Sequence, residues 1–209
     1  SGISKNSMGF WAQRTSIPYK GYAEGRQPIF ELSDVDYIQE RIPEIEYISP
    51  GHNLGAFGGS PPIVVRGTKT DNFTIFGNYP NYATITVKKL FDGGRWINDE
   101  DMRLERKIAV IGEGTVDRLF DIDEDPIGEY IKINDINFKV VGIYKFSQGS
   151  GFGSDSDIYI PFTTFAKVYN TGDDFGFMFI TGYDYVNPEY LETTVLDNLK
   201  VRKNVSPDD

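Results

Sequence analysis

Four groups of residues could do chemistry. Gly112-Glu113-Gly114 follows the apolar run Lys107–Ile111 and precedes Val116–Phe120. That order imitates the glycine-rich turn that cradles a dinucleotide pyrophosphate. The third glycine position is Asp117, whose carboxylate would face the phosphates, and no βαβ unit follows. The stretch therefore reads as a plain strand-to-helix turn. Asp121-Ile122-Asp123-Glu124-Asp125 has the alternating acids of a calcium loop. Pro126 stands where the sharp turn needs glycine, and Lys132 where a bidentate Glu belongs. An EF-hand is excluded, and a solvated acidic turn is the default. Adventitious calcium here, at Asp155/Asp157 or at Asp173/Asp174, is the sharper alternative. His52 is the only histidine and sits in a Pro-Gly-His-Asn stretch. A His-based zinc site or a Ser-His-Asp triad would hang on it alone, so it reads as a solvated loop residue. Glu44 and Glu46 could pair as glycosidase carboxylates, but with 31 acidic residues chance pairs arise everywhere. These residues point to no catalytic group, cofactor or metal, and to a protein that is not an enzyme.

The 209 residues suffice for one sizeable domain or two small lobes. No apolar run approaches the roughly 18–20 residues that span a bilayer, and no signal-peptide pattern opens the chain. A net charge of −10, with 21 basic residues scattered, disfavours nucleic acid and anionic membrane surfaces as partners. Without cysteine, disulfides and thiolate metal sites are excluded. The 15 Phe and 13 Tyr fit a β-rich core. An exposed aromatic platform for a glycan or peptide, using Trp11, Trp96 and Tyr185, is the alternative reading.

The elements that would position these residues follow from periodicity and punctuation. Gly9–Ile17 reads as a strand. Ser33-Asp34-Val35-Asp36 reads as an N-cap with an acidic first turn, with Val35, Ile38 and Ile42 on one helical face and Pro43 as the stop. Glu44–Ile48 reads as a strand broken by Ser49-Pro50-Gly51. Ile63–Arg66, Phe73–Phe76, Ile85–Val87 and Phe177–Thr181 read as further strands, and Ile131–Ile133 with Asn137–Val141 as a hairpin around Asn134-Asp135. Pro161–Val168 is a short helix candidate. Asn187-Pro188 caps a final helix whose face carries Leu191, Val195, Leu196 and Leu199. Ser147–Asp157 is a polar, glycine-rich connector. The pattern is α+β, with many short strands and two convincing helices far apart.

One succession of words is more specific. Gly94-Arg95-Trp96-Ile97, Lys107-Ile108-Ala109-Val110-Ile111-Gly112, Leu119-Phe120 and Asp125-Pro126-Ile127-Gly128 come first. Ile131-Lys132-Ile133, Phe138-Lys139-Val140-Val141-Gly142-Ile143 and Asp157-Ile158-Tyr159-Ile160-Pro161 follow. Together with Thr15–Gly21, Gly25-Arg26, Ile45–Pro50, Arg66–Thr70 and Lys203–Asp209, this order resembles the extracytoplasmic core domain of MacB-type ABC transporter permeases. These are relatives of FtsX and lipoprotein-release permeases, and the words look like those common in Bacteroidetes-type bacteria.

The resemblance implies a two-lobed α+β fold. Residues 1–91 and 166–209 would form a porter-like lobe, and 92–165 an inserted, β-rich Sabre-like lobe. It implies a non-catalytic domain on the periplasmic side of the bacterial inner membrane. Its partners would be the permease's own transmembrane helices, a cytoplasmic ATPase subunit and a periplasmic adaptor protein. ATP-driven helix motion would be passed on mechanically. The isolated chain is expected to be monomeric and the parent permease dimeric. The candidate partner contacts are Gly149, Gly151, Phe152 and Asp155.

Overall fold

The computed structural model describes residues 7–56, 59–86, 88–147 and 152–209. Residues 7–54 form β1 (Ser7–Trp11), β2 (Phe30–Glu31), α1 (Leu32–Arg41) and β3 (Ile45–Leu54). Next come β4 (Ile63–Arg66), β5 (Lys69–Asn72), β6 (Ile75–Asn78), α2 (Tyr82–Thr86) and β7 (Lys89–Leu90). They are followed by α3 (Asp99–Arg103), β8 (Ile108–Gly112), α4 (Glu113–Leu119), β9 (Tyr130–Ile133) and β10 (Ile136–Lys145). The last elements are β11 (Ile158–Pro161), α5 (Phe162–Tyr169), β12 (Asp174–Phe175), β13 (Phe177–Gly182) and α6 (Pro188–Arg202).

The chain divides into two compact units. The flanking unit takes the described residues up to Pro50 and Asp173–Asp209; the central unit takes Gly51–Gly172. These divisions fall at 50/51 and 172/173, where the sequence suggested 91/92 and 165/166. The expected 92–165 insert thus lies inside a larger unit, because β6 (Ile75–Asn78) pairs in parallel with β11 (Ile158–Pro161).

In the flanking unit β13 lies between β1 and β3, with β1 antiparallel to it from Ser7↔Thr181 to Trp11↔Phe177. Helix α1 begins at Leu32 with Glu31 as N-cap, earlier than the expected Ser33. The Asp34 carboxylate explains the shift, since it accepts the Glu31 N–H at 2.8 Å. Asp34 is wholly buried and pairs with Arg202 Nε at 3.0 Å and Lys203 Nζ at 2.7 Å, which ties α1 to the end of α6. Helix α6 starts as expected, with Asn187 Oδ1 accepting the Tyr190 N–H and Pro188 needing no donor. It buries Leu191, Val195 and Leu199, while Leu196 stays 37% exposed.

Strand β3 runs through the expected break at Ser49-Pro50-Gly51. The proline removes one donor where the chain leaves the flanking unit, and pairing resumes at Gly51↔Asn78 in the central unit. There the order is β3-β6-β11-β8-β10-β9-β4-β5. The β9–β10 hairpin turns on Asn134 and Asp135, both at positive φ, as a two-residue loop between right-twisted strands requires. Val64, Phe73, Ile111, Ile133, Phe138, Val140 and Ile160 belong to its apolar core. Ile85 lies in α2 and not in a strand. Tyr82, Ile85 and Thr86 are all buried on that turn, and burial outweighs the β-propensity of their neighbours.

Candidate functional site: a strap over a buried tyrosine cluster

Of the partner-contact residues singled out in the sequence, Gly149 and Gly151 lie outside the described residues. Phe152 and Asp155 belong to a strap, residues 152–157, that enters β11. Tyr144 on β10 holds it: the phenol donates to the Ser154 carbonyl at 2.7 Å and accepts the Asp157 N–H at 2.9 Å. The Asp157 carboxylate accepts the Ser154 N–H at 2.6 Å and the Ser154 hydroxyl at 3.1 Å, closing the turn on itself.

The strap also explains the glycine-rich turn. Gly114 N–H donates to the Asp155 carbonyl at 2.8 Å, and Gly112 N–H to the Asp157 carbonyl at 3.1 Å. A Cβ on Gly112 would collide with the Asp155 carbonyl, and one on Gly114 with the Ser156 hydroxyl. The glycines that imitate a phosphate cradle are there for this close backbone approach. The strap's own carbonyls take the N–H groups at the start of α4.

Beneath the strap is an aromatic cluster. Tyr159 stacks on Phe76 with ring centroids 5.1 Å apart, and Trp96 packs against Tyr159 at 5.3 Å. Tyr144 meets Tyr159 edge-on at 5.5 Å, and Phe152 meets Phe76 edge-on at 5.4 Å. A cavity of about 290 Å³ lies beside the strap, lined by Thr74, Phe76, Phe152 and Asp157 among others. Lys88 Nζ sits 4.7 Å from the Tyr144 ring centroid and 5.2 Å from that of Tyr159. Burial pushes the Lys88 amine down to about 8, against a weaker opposing pull from Asp157. Burial likewise raises the Asp157 carboxyl and the Tyr82, Tyr144 and Tyr159 phenols above their ordinary values. Perturbed groups of this kind mark catalytic sites as well as structural networks. Here Tyr144 and the Asp157 carboxylate are spent on the strap, and the arrangement serves to hold it.

The other sequence candidates are dispersed. His52 lies in β3, half-buried, with its ring stacked on Phe165 at 5.1 Å and Nδ1 accepting the Asn53 N–H. It is not the solvated loop residue expected, because the strand runs on past Pro50. In the acidic turn Glu124 forms two bonds with Arg66, at 2.9 and 2.6 Å, and Asp121 pairs with Lys69 at 2.6 Å. The Arg66 guanidinium holds the Glu124 carboxyl down at about 2. Among the described residues no group of three or more His, Asp or Glu side chains could hold a metal ion. Trp96 packs against Tyr82 and Tyr159, whereas Tyr185 is 80% exposed and stacks on Tyr183. The tyrosine cluster itself escaped sequence reasoning: Tyr82, Tyr144 and Tyr159 are far apart in the chain, and alternation within Phe138–Tyr144 was the only trace.

An α+β domain of two units, one built from two separated chain segments, with buried polar groups turned to structural use, is the class of molecule this geometry defines. The sequence matches the family described as the MacB-like periplasmic core domain over residues 3–196. The chain belongs to that family, a non-catalytic periplasmic module of MacB-type ABC transporter permeases. It is 32% identical over 180 residues to the macrolide export ATP-binding/permease protein MacB of Chlorobium phaeobacteroides, covering 85% of this chain and 24% of that protein. It is 25% identical over 178 residues to the pyoverdine export ATP-binding/permease protein PvdT of Pseudomonas entomophila, covering 84% of this chain and 24% of that protein. The chain thus spans about a quarter of the length of these relatives. Its fold is similar to the periplasmic region of MacB from Actinobacillus actinomycetemcomitans, with TM-score 0.76, 20% identity and coverage of 97% and 88%. It is also similar to the extracellular domain of the ABC-type transporter YknZ from Gram-positive bacteria, with TM-score 0.73, 12% identity and coverage of 96% and 97%. No helix among the described residues is long and apolar enough to cross a membrane.

Proposed function

We propose that this domain works by mechanotransmission, passing ATP-driven movement of a permease's membrane helices to export or to a periplasmic partner. The observation that carries this reading is the composition of the flanking unit. Its two segments, up to Pro50 and from Asp173, pack as one body, and the Asp209 carboxylate accepts the Ser16 and Ile17 N–H groups at 2.9 and 3.1 Å. A push on either segment moves both. The chain crosses to the central unit at two points, within β3 and after Gly172, so the central unit is tethered twice. In this reading the flanking unit is the porter-like part and the central unit carries the Sabre-like insert.

The strap is the partner-contact surface in this reading. Asp155 is exposed, and Phe152 anchors the turn against Phe76. The partners are the permease's own transmembrane helices, a cytoplasmic ATPase and a periplasmic adaptor protein, with a dimeric parent and a monomeric isolated chain.

The test is a disulfide staple between Ser16→Cys and Asp209→Cys in a full-length permease lacking other cysteines, assayed for ATP-driven export. Segments that move as one body leave export unchanged by the staple. Loss of export that a reductant restores would show that they must part, and would end this reading.

A further inference from the structure

On the central unit, away from the strap, an open groove of about 580 Å³ lies among the Gly93–Arg95 segment, the start of β8 and the middle of β10. That volume is within the range of roughly 300–1,000 Å³ typical of small-molecule sites. Among the described residues its charged lining is of one sign: Arg95, Arg106 and Lys139, with no carboxylate. The acids nearest in sequence, Asp92, Glu105, Asp125 and Glu129, do not line it. Ile108, Ile127 and Val141 supply an apolar wall.

The three cations are not equivalent. Arg95 is committed, making two bonds to the buried Asp101 at 2.6 and 3.1 Å. Arg106 reaches the same carboxylate through one longer contact of 3.3 Å. Lys139 is exposed and makes no ion pair among the described residues. One buried carboxylate stands against these three cations, and the exposed Glu100, which Arg106 also attracts, is bonded to Arg103, so the groove keeps a local positive excess on a protein whose net charge is −10. A groove so charged concentrates anions that the rest of the surface repels. The guanidinium fork of Arg106 suits an oxyanion in particular.

We propose that this groove binds an anionic amphiphile: a carboxylate or phosphate head at Arg106 and Lys139, and an apolar body along Ile108, Ile127 and Val141. The same head group could belong to a monomeric ligand or to a lipid in a bilayer.

Titrating the 209-residue chain with decyl phosphate, followed by amide NMR, tests it. The expected result is a saturable shift of Gly94, Arg106, Gly128 and Val141, absent with decyltrimethylammonium and weakened by salt. Lys139→Glu, at an exposed strand position, weakens binding roughly tenfold. Arg106→Gln acts in the same direction, with circular dichroism confirming that the fold is kept. Phosphatidylglycerol vesicles separate the sources. Lys139-dependent co-sedimentation points to a lipid head group, and binding of decyl phosphate alone points to a free ligand. If neither probe binds, if the cationic analogue shifts the same amides, or if Lys139→Glu binds like the wild type, the proposal is wrong.

Discussion

In the flanking unit a carboxylate, Asp34, is buried among cations; in the central unit an amine, Lys88, is half-buried among rings. Asp34 meets Arg202 and Lys203 and also takes the Glu31 N–H, so its charge is met by opposite charge and a donor. Lys88 has the faces of Tyr144 and Tyr159, which attract a cation, yet burial outweighs them and its amine falls to about 8. The difference teaches where each unit is brittle. The flanking unit depends on an ion cluster that joins segments from far apart in the chain. Around the strap the central unit depends on close packing and hydrogen bonds, its own buried ion cluster at Asp101 lying elsewhere.

The sharpest way to break this comparison is Asp34→Asn. It removes the charge and leaves Arg202 and Lys203 facing an uncharged partner, a loss of about 3–5 kcal/mol. Urea denaturation reads the size. Hydrogen exchange reads the place, with faster exchange in α1 and α6 and no change in residues 144–147 and 152–159.

The second effect is one of pH. An amine whose folded pKa lies below its unfolded value of about 10.4 carries fewer protons when folded. Lys88 therefore adds stability as pH rises from about 8 toward 10, and that contribution is lost as pH falls through this window. Asp157, raised by burial, has its dependence at lower pH, where stability falls as pH climbs past the ordinary carboxylate value. The tyrosines act only near and above pH 10, where the unfolded phenols ionise first. Chemical denaturation between pH 8 and 10 should show a Lys88 slope approaching about 1.4 kcal/mol per pH unit, and Lys88→Met should flatten it.

Gly112→Ala comes third. The new methyl meets the Asp155 carbonyl, and overpacking of this kind costs about 1–3 kcal/mol. Amides of residues 153–158 should exchange faster while α1 and α6 keep their protection. Smallest is Leu196→Ala. Leu196 points outward on α6, so thermal melts should move by the equivalent of no more than about 0.5 kcal/mol. A large loss there would show that the buried face of α6 is wider than Leu191, Val195 and Leu199.

Local rules made some of this legible in the sequence and failed where distant groups decide. Asn187-Pro188 placed the start of α6 because a cap acts within one turn. Asn134-Asp135 placed the hairpin because two adjacent residues must take positive φ. Asp34 looked like a first-turn acid attracted by the helix dipole. Its greater role depends on Arg202 and Lys203, some 168 residues away, and no periodicity reports that. Gly112 and Gly114 were visible as glycines that matter, but the backbone they accommodate is 41 or more residues on. The strand through Pro50 and the place of His52 were missed for a related reason. A proline reads locally as a breaker, and only the pairing from Gly51 to Asn78 shows that the strand continues. The unit boundaries depend on the β6–β11 pairing, which nothing in either segment announces.

The most direct measurement is a pulsed electron-spin distance between labels at the exposed Glu24 in the two copies of the dimeric parent permease, at full length and with its ATPase. The account predicts that the Glu24–Glu24 distance distribution shifts between the ATP-bound and nucleotide-free states, because helix movement carries the flanking unit with it. Identical distributions while ATP is hydrolysed and substrate exported would contradict it.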